Sequence, residues 1–138
     1  MPELIKLVDY YYTQVEDLPG AGRRILEHIS EHGVNMTAFN AFPVGEGTTQ
    51  LDFIVEDVEQ LKQAASDAGV ELTGPRKVFL IQGDDRIGAM YEHYLKLANA
   101  GISVLSSNGV IDGKGRFGFV LWVDQKLVNK AARALAIY

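Results

Sequence analysis

A constant offset of 68 positions carries this chain onto itself, and that constrains its fold more than any other feature. At this offset Gly20 falls on Gly88, Gly33 on Gly101, Gly45 on Gly113 and Gly47 on Gly115. Apolar positions follow: Leu26 meets Tyr94, Ile29 meets Leu97, Val34 meets Ile102, Leu51 meets Phe119, Phe53 meets Leu121 and Val55 meets Val123. Glycines mark backbone positions that need a positive φ or a close approach, so halves that share them share a fold. A period this long in only two copies indicates a duplicated small domain, not a solenoid. Duplication creates two equivalent sites, or one good site and one degenerate one.

The order of elements can be read within each half. Val8 to Val15 is rich in Val, Tyr and Thr and ends in Glu16-Asp17-Leu18-Pro19-Gly20, a strand running into a turn. Gly20 to His32 carries apolar residues at helical spacing, with Gly33 where a C-terminal cap belongs. Val34 to Phe42 reads as a strand, Gly45-Glu46-Gly47 as a hairpin turn, and Leu51, Phe53 and Val55 as an alternating third strand. Val58, Leu61, Ala64, Ala65 and Ala68 define a second helix, followed by a short strand over Val70 to Leu72 and a linker at Thr73-Gly74-Pro75. The second half repeats this: a strand over Lys77 to Gln82, a helix over Gly88 to Ala100 and a strand over Ser103 to Ile111. A hairpin at Gly113-Lys114-Gly115, a strand over Phe117 to Val123 and a helix over Gln125 to Ala136 complete it.

The expected fold is therefore α+β, two ferredoxin-like β-α-β-β-α-β sandwiches in tandem. Their expected limits are residues 1–73 and 76–138, with 74–75 as a short linker. Val70 corresponds to Tyr138, so the second copy lacks a fourth strand of its own. Its sheet edge must be left open, covered by another chain, or filled by Leu4 to Val8, because open edges invite pairing. Both sheet faces are apolar and helices cover only one. Tyr10, Tyr12, Leu80 and Trp122 are thus expected in a sheet-to-sheet or subunit contact, which predicts a homo-oligomer, a dimer first of all.

Charge and composition narrow the partners. A net charge of −5 and a pI near 5.1 count against nucleic acid, whose phosphates require clustered Lys and Arg. The absence of cysteine excludes disulfides, thiolate metal sites and cysteine nucleophiles. Met1 to Val8 carries Glu3 and no long apolar run, so it resembles neither a signal peptide nor a membrane span, and a cytoplasmic protein is expected.

Val15-Glu16-Asp17-Leu18-Pro19-Gly20, a helix, and then Gly33-Val34-Asn35-Met36 together resemble the ACT domain. The family's hallmark is an acidic residue, a variable one, Pro-Gly, an amphipathic helix, then Gly-Ile/Val-Asn and a strand. The second half resembles it through Asp85-Arg86-Ile87-Gly88 and Gly101-Ile102-Ser103-Val104. Here Ile87 replaces the proline and Ser103 the asparagine, which puts binding at this copy in doubt. The resemblance covers nearly the whole chain. It implies a non-enzymatic regulatory module that binds a small ligand, typically an amino acid, at interfaces between ACT domains and needs no cofactor. Such a module is similar in kind to the regulatory portion of aspartokinases or the small subunit of acetolactate synthase. With no room in the chain for an attached enzyme or DNA-binding domain, the expectation is a stand-alone sensor or the regulator of a metabolic enzyme partner.

The residues support such a site. Gly20-Ala21-Gly22 opens a helix with little side-chain bulk, leaving N–H groups and the helix dipole for an α-carboxylate. Asp17 or Glu16 can accept from an α-ammonium, and Asn35 supplies both donor and acceptor. The bland alternative is that Asp17 caps the helix and the glycines only permit the turn. The candidate ligand residues are Glu16, Asp17, Leu18, Pro19, Gly20, Ala21, Gly22 and Asn35 in the first copy. In the second they are Asp85, Arg86, Ile87, Gly88 and Ser103, where Asp84, Asp85 and Arg86 are equally able to form an internal salt bridge.

Other motifs point elsewhere and are weaker. His28-Ile29-Ser30-Glu31-His32 matches an inverted zinc-protease pattern, but that chemistry needs a further ligand in a large catalytic fold. Gly20-Ala21-Gly22 lacks the third small residue of a dinucleotide loop, since Ile25 occupies that place. Asp84 and Asp85 are adjacent on a turn and point apart. The rival readings are a small glyoxalase-like metalloenzyme on a duplicated sandwich, a structural adaptor with degenerate sites, and an RNA-binding module, against which the acidic charge counts.

Overall fold

The computed structural model of the protein describes residues 3–137. The elements in chain order are β1 (Leu4–Glu16), α1 (Ala21–Glu31), β2 (Met36–Pro43), β3 (Thr48–Val55), α2 (Val58–Ala68), β4 (Thr73–Asp84), α3 (Ala89–Asn99), β5 (Ser106–Ile111), β6 (Arg116–Trp122) and α4 (Val128–Ala134). A single 3-10 turn, Gln125–Leu127, precedes α4, where the sequence predicts a continuous helix.

The chain forms two compact units with one boundary after Pro75, at the end of the expected 74–75 linker, and a second after Val8 that the expected limits do not contain. One unit runs from Asp9 to Pro75, and the other joins the start of the chain, up to Val8, to Arg76 and beyond. The expected strand at Val70–Leu72 is absent, and the expected linker lies inside β4, which begins at Thr73. The physical reason is the length of β1 and β4, 13 and 12 residues, against 8 or fewer in the other strands. Each long strand gives its first residues to one unit and the rest to the other.

In the Asp9–Pro75 unit the strand order is β2-β3-β1, with residues 73–75 of β4 beside β1. Tyr11 pairs antiparallel with Phe53, and Phe53 with Phe39 on its other side. Phe53, Leu51, Ile25, Ile29, Leu61 and Ala64 make the core under α1 and α2. In α2 the buried residues Leu61, Ala64, Ala65 and Ala68 recur at helical spacing. The Asp57 side chain accepts from the Gln60 N–H at 3.1 Å to cap its start.

The other unit repeats this arrangement with the order β5-β6-β4, and residues 4–8 of β1 lie beside β4. Phe79 pairs with Leu121, and Leu121 with Ser107, the same register 68 positions on. Ile5 and Leu7 pack on the core of Phe79, Ile81, Leu97, Phe119 and Leu121. The missing fourth strand is thus supplied by the N-terminal segment, one of the three solutions the sequence allows.

The repeats agree down to single hydrogen bonds. Both α1 and α3 close in a Schellman motif, with Gly33 N–H donating to Ser30 O (3.0 Å) and Val34 N–H to Ile29 O (3.1 Å). The second copy has Gly101 to Ala98 O (3.0 Å) and Ile102 to Leu97 O (2.9 Å). Tyr10, Leu80 and Trp122 are only 6%, 6% and 7% exposed within a single chain, so their burial needs no second subunit. Tyr12 is half-buried.

Candidate functional site

Each β-α turn is built the same way. At the end of β1 the Asp17 N–H donates to Gly47 O (2.9 Å) and the Ala21 N–H to Leu18 O (3.2 Å). After β4 the Asp85 N–H donates to Gly115 O (2.8 Å) and the Ala89 N–H to Arg86 O (3.3 Å). Gly20 and Gly88 are the N-caps of α1 and α3, with φ of 89° and 80°, a left-handed backbone that favours glycine. Neither helix has a side-chain cap, so Asp17 does not cap α1. Both first turns present backbone N–H groups without a side-chain acceptor, the polarity an anionic group finds favourable.

The structure separates residues that the sequence groups. Glu16, Asp17, Leu18, Pro19 and Gly20 are exposed on the first turn, and Ala21 and Gly22 are half-buried behind it. Glu16 pairs with Thr48 at one end of β3, whereas Met36, the residue after Asn35, pairs with Val55 at the other. Those ends lie about 23 Å apart at 3.3 Å per residue. Asn35 therefore does not reach the Asp17–Gly20 turn of its own unit. Ser103 is placed likewise in the second copy, because the Leu105 N–H bonds Trp122 O at the far end of β6 from Arg116. A helix runs the length of the sheet between each turn and its Asn or Ser.

At the second turn there is a cleft of about 350 Å³. Asp85, Arg86, Gly88 and Ala89 form one side, Met90 and Tyr91 continue it along α3, and Gly109, Val110 and Ile111 of β5 with Phe117 of β6 form the other. Ile87 stands fully exposed beside it. Sequence reasoning missed the β5 and α3 walls. The signal was present in the offset of 68, which matches Met90, Tyr91, Ile111 and Phe117 to Gly22, Arg23, Pro43 and Thr49. Met90, Tyr91 and Phe117 thus supply apolar surface where the first copy has Gly22, Arg23 and Thr49.

Charges at the mouth are unequal. The Arg86 guanidinium is held by Glu92 through Nη1 (3.1 Å) and Nη2 (2.8 Å), and Nη2 also reaches Glu3 (3.4 Å). The Glu92 hydrogen bonds raise the Arg86 pKa above its ordinary value, and Arg86 in turn lowers that of Glu92. Arg86 therefore pairs with Glu92 and Glu3 and not with its neighbours Asp84 and Asp85, and Asp84 pairs instead with Arg116 at 3.2 Å. Beneath the Arg86 pairs lies His93, 1% exposed, with Nε2 at 2.7 Å from Glu3 Oε1. The contact is at ion-pair distance but off the line of a hydrogen bond, and Nδ1 has no partner among the described residues.

The histidine motif on α1 is used structurally. His32 Nδ1 bonds His28 O at 2.8 Å and Nε2 bonds Asp67 of α2 at 2.7 Å. Both partners are acceptors, so the protonated ring, which can donate from both nitrogens, is favoured, and the His28 and Asp67 bonds raise the His32 pKa. Among the described residues no group of three His, Cys, Asp or Glu side chains is placed to hold a metal ion. Among the described residues no helix is long and apolar enough to cross a membrane.

No protein-family model and no curated protein sequence matches the chain. Solved structures do. Protein BT0572 from Bacteroides thetaiotaomicron superposes with a TM-score of 0.80 at 15% identity, covering 96% of this chain and 88% of that one. The aspartokinase alpha and beta subunits give 0.66 at 19% identity, over 98% and 95%. The ligand-free regulatory subunit of aspartate kinase from Thermus thermophilus gives 0.62 at 15% identity, over 99% and 96%. At these identities the likeness is one of fold alone, a fold shared with the regulatory subunit of aspartate kinase and consistent with the resemblance read from the two turns.

Proposed function

From a chain folded as tandem ACT-type units, we propose a non-catalytic regulatory module that binds a small ligand, an amino acid, at its β-α turns. The observation that carries this reading is the duplicated turn itself. Two glycine-capped helices lack side-chain caps, and each has an acidic residue three positions before its N-cap glycine, Asp17 and Asp85. A zwitterion needs an anion site and a cation site a few ångströms apart, and this turn supplies both. The likeness to aspartate kinase regulatory subunits supports a regulatory role and a metabolic enzyme as partner.

The same reading includes a homodimer. On α3 the exposed residues Met90, Tyr91, Tyr94 and Leu95 replace Gly22, Arg23, Leu26 and Glu27 of α1, where Arg23 and Glu27 form an exposed ion pair (3.8 Å). Beside them β5 ends its sheet and carries no charged residue to discourage pairing. A second copy aligned antiparallel along β5 covers this apolar surface and walls the cleft.

A thermal-shift screen against the twenty protein amino acids tests the proposal. A ligand present at a hundred times its dissociation constant stabilises by about 2.7 kcal/mol, a plainly raised Tm. No shift with any amino acid refutes the amino-acid reading, and a monomer by sedimentation refutes the dimer.

A further inference from the structure

We infer that the cleft at the second turn selects amino acids with apolar side chains, a specificity that rests on the amino-acid reading above. Arg86 is bound by Glu92 and Glu3, and Glu3 is itself held against the buried His93, so the guanidinium is already neutralised by carboxylates of its own unit. The Asp85 carboxylate also lines the cleft and has no ion-pair or hydrogen-bond partner among the described residues. The uncompensated charge is negative and calls for an ammonium group.

The rest of the wall is hydrocarbon. Tyr91, Val110 and Ile111 are 65%, 71% and 57% exposed, and Met90 and Phe117 complete the lining. A polar or charged ligand side chain laid here gives up its hydration without a partner, whereas an aliphatic or aromatic one removes apolar surface from water. The volume, about 350 Å³, is at the small end of ligand cavities and suits one amino acid. Gly109 keeps the space open. A Cβ there would stand 2.8 Å from Met90 Cε and 2.9 Å from its Sδ, driving the thioether out of its place in the wall.

Isothermal titration of the full chain with L-leucine, L-methionine and L-phenylalanine, against L-lysine, L-aspartate and L-serine, tests the inference. The apolar set should bind at least tenfold more tightly than the polar set. Asp85→Asn, on an exposed turn where folding is not at stake, should weaken that binding tenfold or more, and Gly109→Ala should weaken it by displacing Met90. Tighter binding of the polar set overturns the inference while leaving the amino-acid reading standing. Apolar binding that Asp17→Asn abolishes and Asp85→Asn leaves intact puts the site at the first turn and overturns it too. Binding of none of the six in wild-type protein overturns this inference, and the twenty-member screen then decides the broader reading.

Discussion

Removing the Glu3 carboxylate should loosen the N-terminal strand, and by an amount that depends on His93. His93 is 1% exposed and 2.7 Å from Glu3, while its counterpart in the first repeat, Ile25, is apolar and equally buried. Packing at this position therefore does not require a histidine. Leaving a buried polar group without its partner costs about 1–3 kcal/mol. Glu3 keeps 22% of its side-chain surface, and the contact is poorly aligned, so the lower part of that range, about 1–2 kcal/mol, is expected for Glu3→Ala. His93→Ile should be nearly neutral, since it removes a ring nitrogen that has no partner and restores the residue type found at Ile25. In the His93→Ile background Glu3→Ala forfeits only the 3.4 Å contact with exposed Arg86, a solvent-screened pair of little worth. The coupling in the double-mutant cycle is then about 1–2 kcal/mol. Urea denaturation of the four proteins measures it, and hydrogen exchange at residues 4–8 shows where the loss is felt. Additive effects, or exchange that rises no more in residues 4–8 than in 9–16, would refute the reasoning.

Other consequences can be checked as simply. The raised pKa of His32 and the lowered pKa of Asp67 define a window for their pair. Its stabilisation is complete between the ordinary carboxylate and imidazole values, about pH 4 to 6.5. It fades as pH rises through the elevated His32 value and as it falls through the depressed Asp67 value. Asp67→Asn should accordingly lower Tm more at pH 5.5 than at pH 9, and an equal loss at both contradicts the assignment. Gly33→Ala and Gly101→Ala force a left-handed alanine at φ of 68° and 74°, each costing about 1–2 kcal/mol. Chemical denaturation should find the two losses similar, because the same pair of hydrogen bonds closes both helices. Phe79→Ala empties a fully buried position and should cost about 3–5 kcal/mol in the same assay.

Much of this protein was legible in one dimension because its signals are local. Glycines that must sit at positive φ recur at a fixed offset, and apolar residues recur at 2 or 3.6. These patterns define α1, α2 and α3, the two hairpins and the duplicated β-α turns without reference to anything distant. What they could not show is which strand completes which unit. Val70–Leu72 reads as a strand by composition, yet β4 starts at Thr73, and the pairing of residues 4–8 with β4 joins positions far apart in sequence. The candidate site divides in the same way. Asp17 to Gly22 and Asp85 to Gly88 are each continuous in sequence and remain together in space. Asn35 and Ser103 follow a helix that spans the sheet, so adjacency in a motif became separation by the length of a strand. Conversely, Met90 and Gly109 come from different elements and meet because β5 pairs with β6 alongside α3. The repeat and its turns were determined by the sequence alone, since torsional preference and periodic burial act between near neighbours. The closing strand, the neutralised arginine and the cleft were decided only by the tertiary structure, which sets distances between residues that the chain itself keeps apart.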